Sequence, residues 1–331
     1  MAKVLKTDAL VSTALRRALI PSDQATFTCQ DIRDIMNEEL NIHVVPVVLR
    51  AHEEYYVIDE DVNLENGKIR YKIPYRSVGN KLRDVQFVDN AGTQYEMTRV
   101  SLEDRPEYQG NYTNNQFLTF YLENDDVVIM QNQIINGNIR MSYYLRPNEL
   151  VEDKRGGQIT SIAVCSCAST TTFTMSTFPE HFSCTTVYDF IQGRSPNKII
   201  GFDREVLSTC STAKTITFSN SQLKTIDLFS ITPKDLTFSV GDYIMKAEET
   251  IIPQLPTELQ PILAQRVAVK LLEALGDTEG MQNAQKELER MEYNAQTLID
   301  NRVEGSPQKI TNRHSVLKSS LSNKLYRRRG L

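Results

Sequence analysis

The feature that most constrains this chain is the placement of its helical patterns at its two ends. They run from Thr7 to about Tyr55 and from Thr257 to about Val303, with roughly 190 residues of strand and turn between them. An amphipathic helix must bury its apolar stripe against another element, and neither end can do so alone. The simplest arrangement brings the ends together. The expected fold class is therefore α+β. Residues 1–60 and 253–304 form the two halves of one antiparallel helical bundle, 61–252 an inserted antiparallel β domain, and 305–331 an extended basic arm.

Local signals set the expected elements. Thr7 is placed to cap a first helix with Leu10, Val11, Ala14, Leu15 and Ala18 on one face, stopped by Pro21. Thr28 with Asp31 three residues on has the form of a capping box, opening a second helix through Ile32, Ile35, Met36, Leu40 and Val44 that Pro46 kinks or divides. In the second block Thr257 caps a helix with Leu259, Ile262, Leu263, Val267, Leu271, Ala274 and Leu275 in its stripe, ended by Gly276. Thr278 starts a last helix with Met281, Ala284, Leu288, Met291, Ala295, Leu298 and Ile299 on one face.

Between the blocks the period is two. Lys68–Pro74 alternates, Val85–Val88 and Tyr95–Thr98 flank an Asn90-Ala91-Gly92 turn, and residues 101–109 read as a short helix or turn. Strands follow at Phe117–Leu122 and Val127–Ile134, and Asn136-Gly137 predicts a hairpin into Ile139–Leu145. A short helix is expected near Val187–Ile191, and strands at Ile199–Phe202, Thr215–Phe218 and Thr237–Tyr243.

Charge is distributed unevenly. The tail from Gly305 carries seven Lys or Arg and no Asp or Glu, so with a formal total of −5 the residues before it carry −12. An acidic body with a basic arm favours docking of the arm on an acidic neighbour or on phosphate, and association between copies. The arm's cations Arg313, Lys318, Lys324, Arg327, Arg328 and Arg329 are interleaved with Leu317, Leu321, Leu325 and Tyr326. Leucines at every fourth position can form an amphipathic helix on contact with a protein groove, which a purely electrostatic DNA arm would not need.

Few residues offer chemistry. Gly-x-Ser-x-Gly, Walker and Gly-x-Gly-x-x-Gly strings are absent, and no export leader or membrane span is expected. Cys165, Cys167, His181 and Cys184 supply enough ligand types for zinc, but without paired knuckles. Packed free thiols in a reducing compartment are the preferred reading, with no metal and no cofactor. A Cys184 nucleophile with His181 lacks a third group. Glu53, Glu54, Asp59, Glu60 and Asp61 lack calcium-loop spacing and are expected to form a solvated or subunit-facing acidic edge.

One resemblance covers nearly the whole chain. It is carried, in order, by Arg16-Arg17-Ala18, Asn37-Glu38-Glu39-Leu40, Ile73-Pro74-Tyr75-Arg76-Ser77-Val78-Gly79-Asn80, Tyr144-Leu145-Arg146-Pro147-Asn148-Glu149, Val240-Gly241-Asp242-Tyr243 and Gln254-Leu255-Pro256-Thr257-Glu258. The chain resembles the head-to-tail adaptor (connector) proteins of tailed bacteriophages. The resemblance implies a non-enzymatic virion protein of the neck, assembled in the host cytoplasm. It implies a dodecameric ring beneath the portal protein, with the arm reaching the portal, a tail or nozzle protein docking below, and genome DNA passing through the channel. Its departure is the long β insertion. The competing readings are another tail ring or nozzle component, a DNA-binding protein using the arm, and an enzyme attached to the virion.

Overall fold

The computed structural model describes residues 4–21, 26–65, 67–101, 103, 119–129, 137–225 and 234–299. It is a mixed α+β fold with large antiparallel sheets.

The first helices are α1 (Thr7–Arg17), α2 (Cys29–Glu39) and α3 (Val45–Ala51). Lys6, not Thr7, occupies the N-cap of α1. Thr7 already lies inside the helix, where its N–H and hydroxyl both donate to the Ile251 carbonyl at 2.9 and 3.1 Å. A tertiary acceptor thus takes the place of a side-chain cap. The capping box of α2 is present in both directions between Thr28 and Asp31. Before Pro46 the backbone widens into a π segment, Leu40–Val44, and α3 then starts with the proline in its first turn.

The second block contains α4 (Gln260–Leu275) and α5 (Thr278–Ile299). Thr257 does not cap α4: a 3-10 turn, Thr257–Leu259, precedes the helix, and the Thr257 hydroxyl is buried without a partner. Gly276 ends α4 at φ +75°, a left-handed conformation that favours glycine. Helix α4 lies against α1, α2 and α5. One apolar cluster runs through Leu10, Ala14, Ile32, Met36, Val48, Leu263, Val267, Leu271 and Leu288, so both ends of the chain share a core. Polar contacts lock the same surfaces, with Leu5 N–H on Gln260 Oε1 at 2.9 Å, Arg17 on Gln265 at 2.7 Å and Arg266 on Glu39 at 3.3 Å. The stripe of α4 stops at Leu272. Ala274 and Leu275 lie beyond the shared cluster and are exposed.

The strands are β1 (Val57–Asn63), β2 (Arg70–Lys72), β3 (Ser77–Asp89), β4 (Gln94–Glu96), β5 (Thr119–Glu123), β6 (Asp126–Ile129) and β7 (Gly137–Leu145). They continue as β8 (Gly157–Cys165), β9 (Thr170–Met175), β10 (Val187–Ile191), β11 (Ile199–Glu205), β12 (Ser208–Cys210), β13 (Thr215–Ser219) and β14 (Tyr243–Lys246). One sheet has the order β1-β7-β3-β4. A second is β2-β6-β5 with Thr98–Arg99 beside β5. A third is β11-β10-β14-β8-β9-β13-β12. The β3–β4 hairpin closes at the Asn90-Ala91-Gly92 turn.

Three expectations fail here. Val187–Ile191 is not a helix but the strand β10, flanked by β11 and β14. Thr237–Asp242 is irregular, and the strand starts only at Tyr243. The Asn136-Gly137 signal does not join neighbouring strands, because β6 pairs with β5 and β2 while β7 pairs with β1 and β3. The tight turn falls instead at Asn124-Asp125, with Asn124 at φ +55°. Gly137 serves packing: a Cβ there would meet the Val88 carbonyl at 2.4 Å and the Phe87 ring at 2.6 Å. Most of 101–109 and all of 130–136 lie outside the described residues.

Candidate functional site

The acidic segment turns inward. Strand β1 faces β7 residue for residue, setting Asp59 opposite Ser142 and Asp61 opposite Arg140. The Asp61 carboxylate accepts Nε and Nη2 of the buried Arg140 at 2.7 and 3.0 Å. Asp59 accepts the Ser142 hydroxyl, and Glu60 the Tyr143 hydroxyl at 3.2 Å. Burial raises the Asp59 and Glu60 carboxyls above their ordinary values, against the pull of those hydrogen bonds. Asp59, Glu60 and Asp61 are thus half-buried ladder residues and not a solvated edge. Glu54 keeps that character, exposed and 3.0 Å from Arg83. The Glu53 side chain lies outside the described residues. The three acids of β1 line one wall of a cleft of about 320 Å³, whose other walls come from Tyr75, Arg76, Tyr143 and Phe202–Arg204.

At the back of that cleft lies a charge network that reasoning from sequence missed. Arg76, 3% exposed, meets the fully buried Asp189 of β10 through Nη1 at 3.1 Å and Nη2 at 2.9 Å. Asp189 also accepts Asn148 Nδ2 at 2.6 Å and the N–H groups of Asp203 and Glu248 at 2.9 and 3.1 Å. Arg76 further donates to Asp203 at 3.0 Å and to Asn148 Oδ1 at 2.5 Å. Asn148 N–H donates to Gln254 Oε1 at 2.8 Å, and the Gln254 carbonyl accepts the Tyr56 hydroxyl at 2.8 Å. Burial works against the guanidinium charge, but the hydrogen bonds and charges of Asp189 and Asp203 outweigh it and raise the Arg76 pKa. The Tyr75 hydroxyl, donating to Asp203 at 2.9 Å, is pushed up to about 12 by burial and by that carboxylate.

This network ties together the start of β3, the loop after β7, strands β10 and β11, and the segment leading into α4. Its charged groups Arg76, Asp189 and Asp203 all find partners, as a buried charge cluster requires, while Gln254 Nε2 is buried without one. Chemically it is a clamp that fixes the β sheets to the helices. The signal was available: Arg76, Asn148 and Gln254 all fall in the strings quoted for the adaptor resemblance, while Asp189 was hidden in the segment read as helical.

The cysteines contradict the packed-thiol expectation. Cys29, Cys165, Cys167, Cys184 and Cys210 are all exposed. Cys165 ends β8 at the tip of the β8–β9 hairpin, so strand alternation does not carry its side chain into a core. There a hydrogen bond from the Ala168 backbone, aided by Cys167, lowers its thiol pKa. The His181 ring packs edge-on against Phe182, and burial lowers its pKa. Among the described residues, no three His, Cys, Asp or Glu side chains converge as metal ligands.

The arm residues Arg313, Leu317, Lys318, Leu321, Lys324, Leu325, Tyr326, Arg327, Arg328 and Arg329 lie outside the described residues. Among the described residues, no helix is long and apolar enough to cross a membrane. No protein-family model matches the chain, and no curated protein matches it.

Proposed function

We propose that the chain is a structural head-to-tail adaptor of a tailed bacteriophage, built as an antiparallel helical bundle with a large inserted β domain and a basic C-terminal arm. The bundle comprises residues 1–60 and 253–304. Copies assemble as a ring beneath the portal protein, continue the DNA channel and offer the docking surface for the next tail component. The chain does no catalysis in this reading.

The observation that carries it is the meeting of α1 and α2 with α4 and α5 in one apolar cluster, although about 200 residues separate them. In this reading residues 305–331 act as the arm. Their composition of seven cations, no acids and regularly spaced leucines suits a protein groove with an acidic rim. The order of the sequence strings supports the same family.

Deleting Ser306 to Leu331 tests the reading. The truncated protein should stay folded and soluble yet fail to join portal-bearing heads. Normal attachment would remove the arm as anchor. If instead the intact protein bound duplex DNA with a steep salt dependence and ignored portals, the DNA-binding alternative would replace the adaptor reading.

A further inference from the structure

The third sheet changes partner along β8. Gly157 and Gln158 pair with β14, and the contact ends where Ile159 exchanges hydrogen bonds with Asp242 O and Gly241 N–H at 2.8 and 2.9 Å. From Thr160 to Cys165, β9 is the only strand paired with β8 among the described residues. This stretch turns one row of its backbone N–H and C=O groups outward. Across the same half-sheet, β12 pairs only with β13 among the described residues. Among the described residues the four strands β8-β9-β13-β12 therefore have two open edges.

Exposed edges are normally blunted by Lys, Pro or inward-pointing charge, since an unguarded edge is a template for another strand. Neither edge here carries such a guard. No charged residue occurs between Gly156 and Pro179 or between Val206 and Ala213, in a chain that is 24% charged. Val164 beside one edge and Leu207 beside the other are 66% and 56% exposed. Beneath the sheet Phe173, Ile216 and Phe218 are fully buried, so both edges are held on a rigid base.

Strand direction adds an independent argument. The pairs β8–β9, β9–β13 and β13–β12 are all antiparallel. With four alternating strands, β12 runs opposite to β8. A second copy set alongside then meets β12 with its own β8 in the antiparallel sense, which is the stronger ladder. We propose that β12 of one copy adds to residues 160–165 of β8 in the next, making the sheets of neighbouring copies continuous. The partner is a second copy of this chain. The contact is head-to-tail, so a closing rotation gives a ring; only that closure rests on the adaptor reading.

The register is testable. Lateral rows cross the sheet as Ser161–Thr174, Thr174–Thr215 and Thr215–Cys210. Continued through the joint, the row sets Cys210 of one copy opposite Ser161 of the next. Within one chain these positions stand three strand spacings apart, about 14 Å, which a disulfide cannot span. The experiment uses the full chain with Ser161→Cys, Cys165→Ser and Cys167→Ser, oxidised by glutathione disulfide. Each disulfide formed takes two protein thiols and returns two molecules of reduced glutathione. A ladder of covalent multimers on a non-reducing gel, with position 161 joined to Cys210 by mass spectrometry, is expected. As a second variant Ala163→Lys, at an exposed position of the edge strand, should weaken association about tenfold with an unchanged circular dichroism spectrum, because a lysine on an edge strand guards it against addition of another strand. Absence of the 161–210 link at every soluble concentration, or native association of Ala163→Lys, overturns the pairing. A ring lacking the link defeats the pairing and leaves the adaptor reading intact, whereas linked chains that never close support the pairing and defeat the ring.

Discussion

Arg76 and Asp189 meet through two hydrogen bonds, at 3.1 and 2.9 Å, with both side chains removed from solvent although they stand 113 positions apart in sequence. Breaking one partner of a buried pair leaves the other uncompensated, which typically costs about 3–5 kcal/mol. Arg76→Met and Asp189→Asn should each lower the unfolding free energy measured by urea denaturation by that order. The double variant should lose much less than their sum, since removing both charges leaves neither unpaired. Strict additivity in the cycle would show that the two residues do not act as a unit.

Asp59 and Glu60 predict a pH dependence with a definite sign. Their folded-state carboxyls titrate above the unfolded values of about 3.9 and 4.3, so over that interval the folded state binds more protons than the unfolded one. Stability from these groups is highest below about pH 4 and is lost as pH rises through the raised folded values. Asp59→Asn keeps an acceptor for the Ser142 hydroxyl and removes the buried charge. Its melting temperature should exceed that of the parent at pH 7 and match it near pH 3.5. An equal gain at both pH values, or a loss at pH 7, would contradict the assignment.

Helix α4 supplies two graded tests of the shared core. Leu263 is fully buried between the two helical blocks, and Leu263→Ala should cost about 2–5 kcal/mol. Gly276→Ala forces a side chain into the left-handed region and should cost about 1 kcal/mol, although nothing lies within 4 Å of the added Cβ. Equal effects of the two changes in calorimetry would mean that the core around Leu263 is not the main stabilising contact of this helix.

Much of the helical framework was legible because its signals are local. Thr28 with Asp31, Pro46 and Gly276 each act within a turn of their own position, and each is found doing what its chemistry dictates. What failed depended on distant partners. Five residues are too few for periodicity to separate strand from helix, and β10 is buried on both sides, which erases the alternation that would have marked it. Thr7 and Thr257 resemble caps until Ile251 and the 3-10 turn are known. Asp189 gives no hint of its role without Arg76 and Asn148, which reach it only in the folded chain. The partners of the β1 acids were hidden for the same reason: Arg140, Ser142 and Tyr143 come to them from a strand some 80 residues away.

The central claim, a ring adaptor anchored on the portal, is tested most directly by electron microscopy of the full-length protein mixed with portal-bearing heads. The account predicts a closed ring of copies coaxial with the portal, with an open channel and the basic arm directed toward the head. Heads that remain bare, or copies attached singly without a ring, would contradict it.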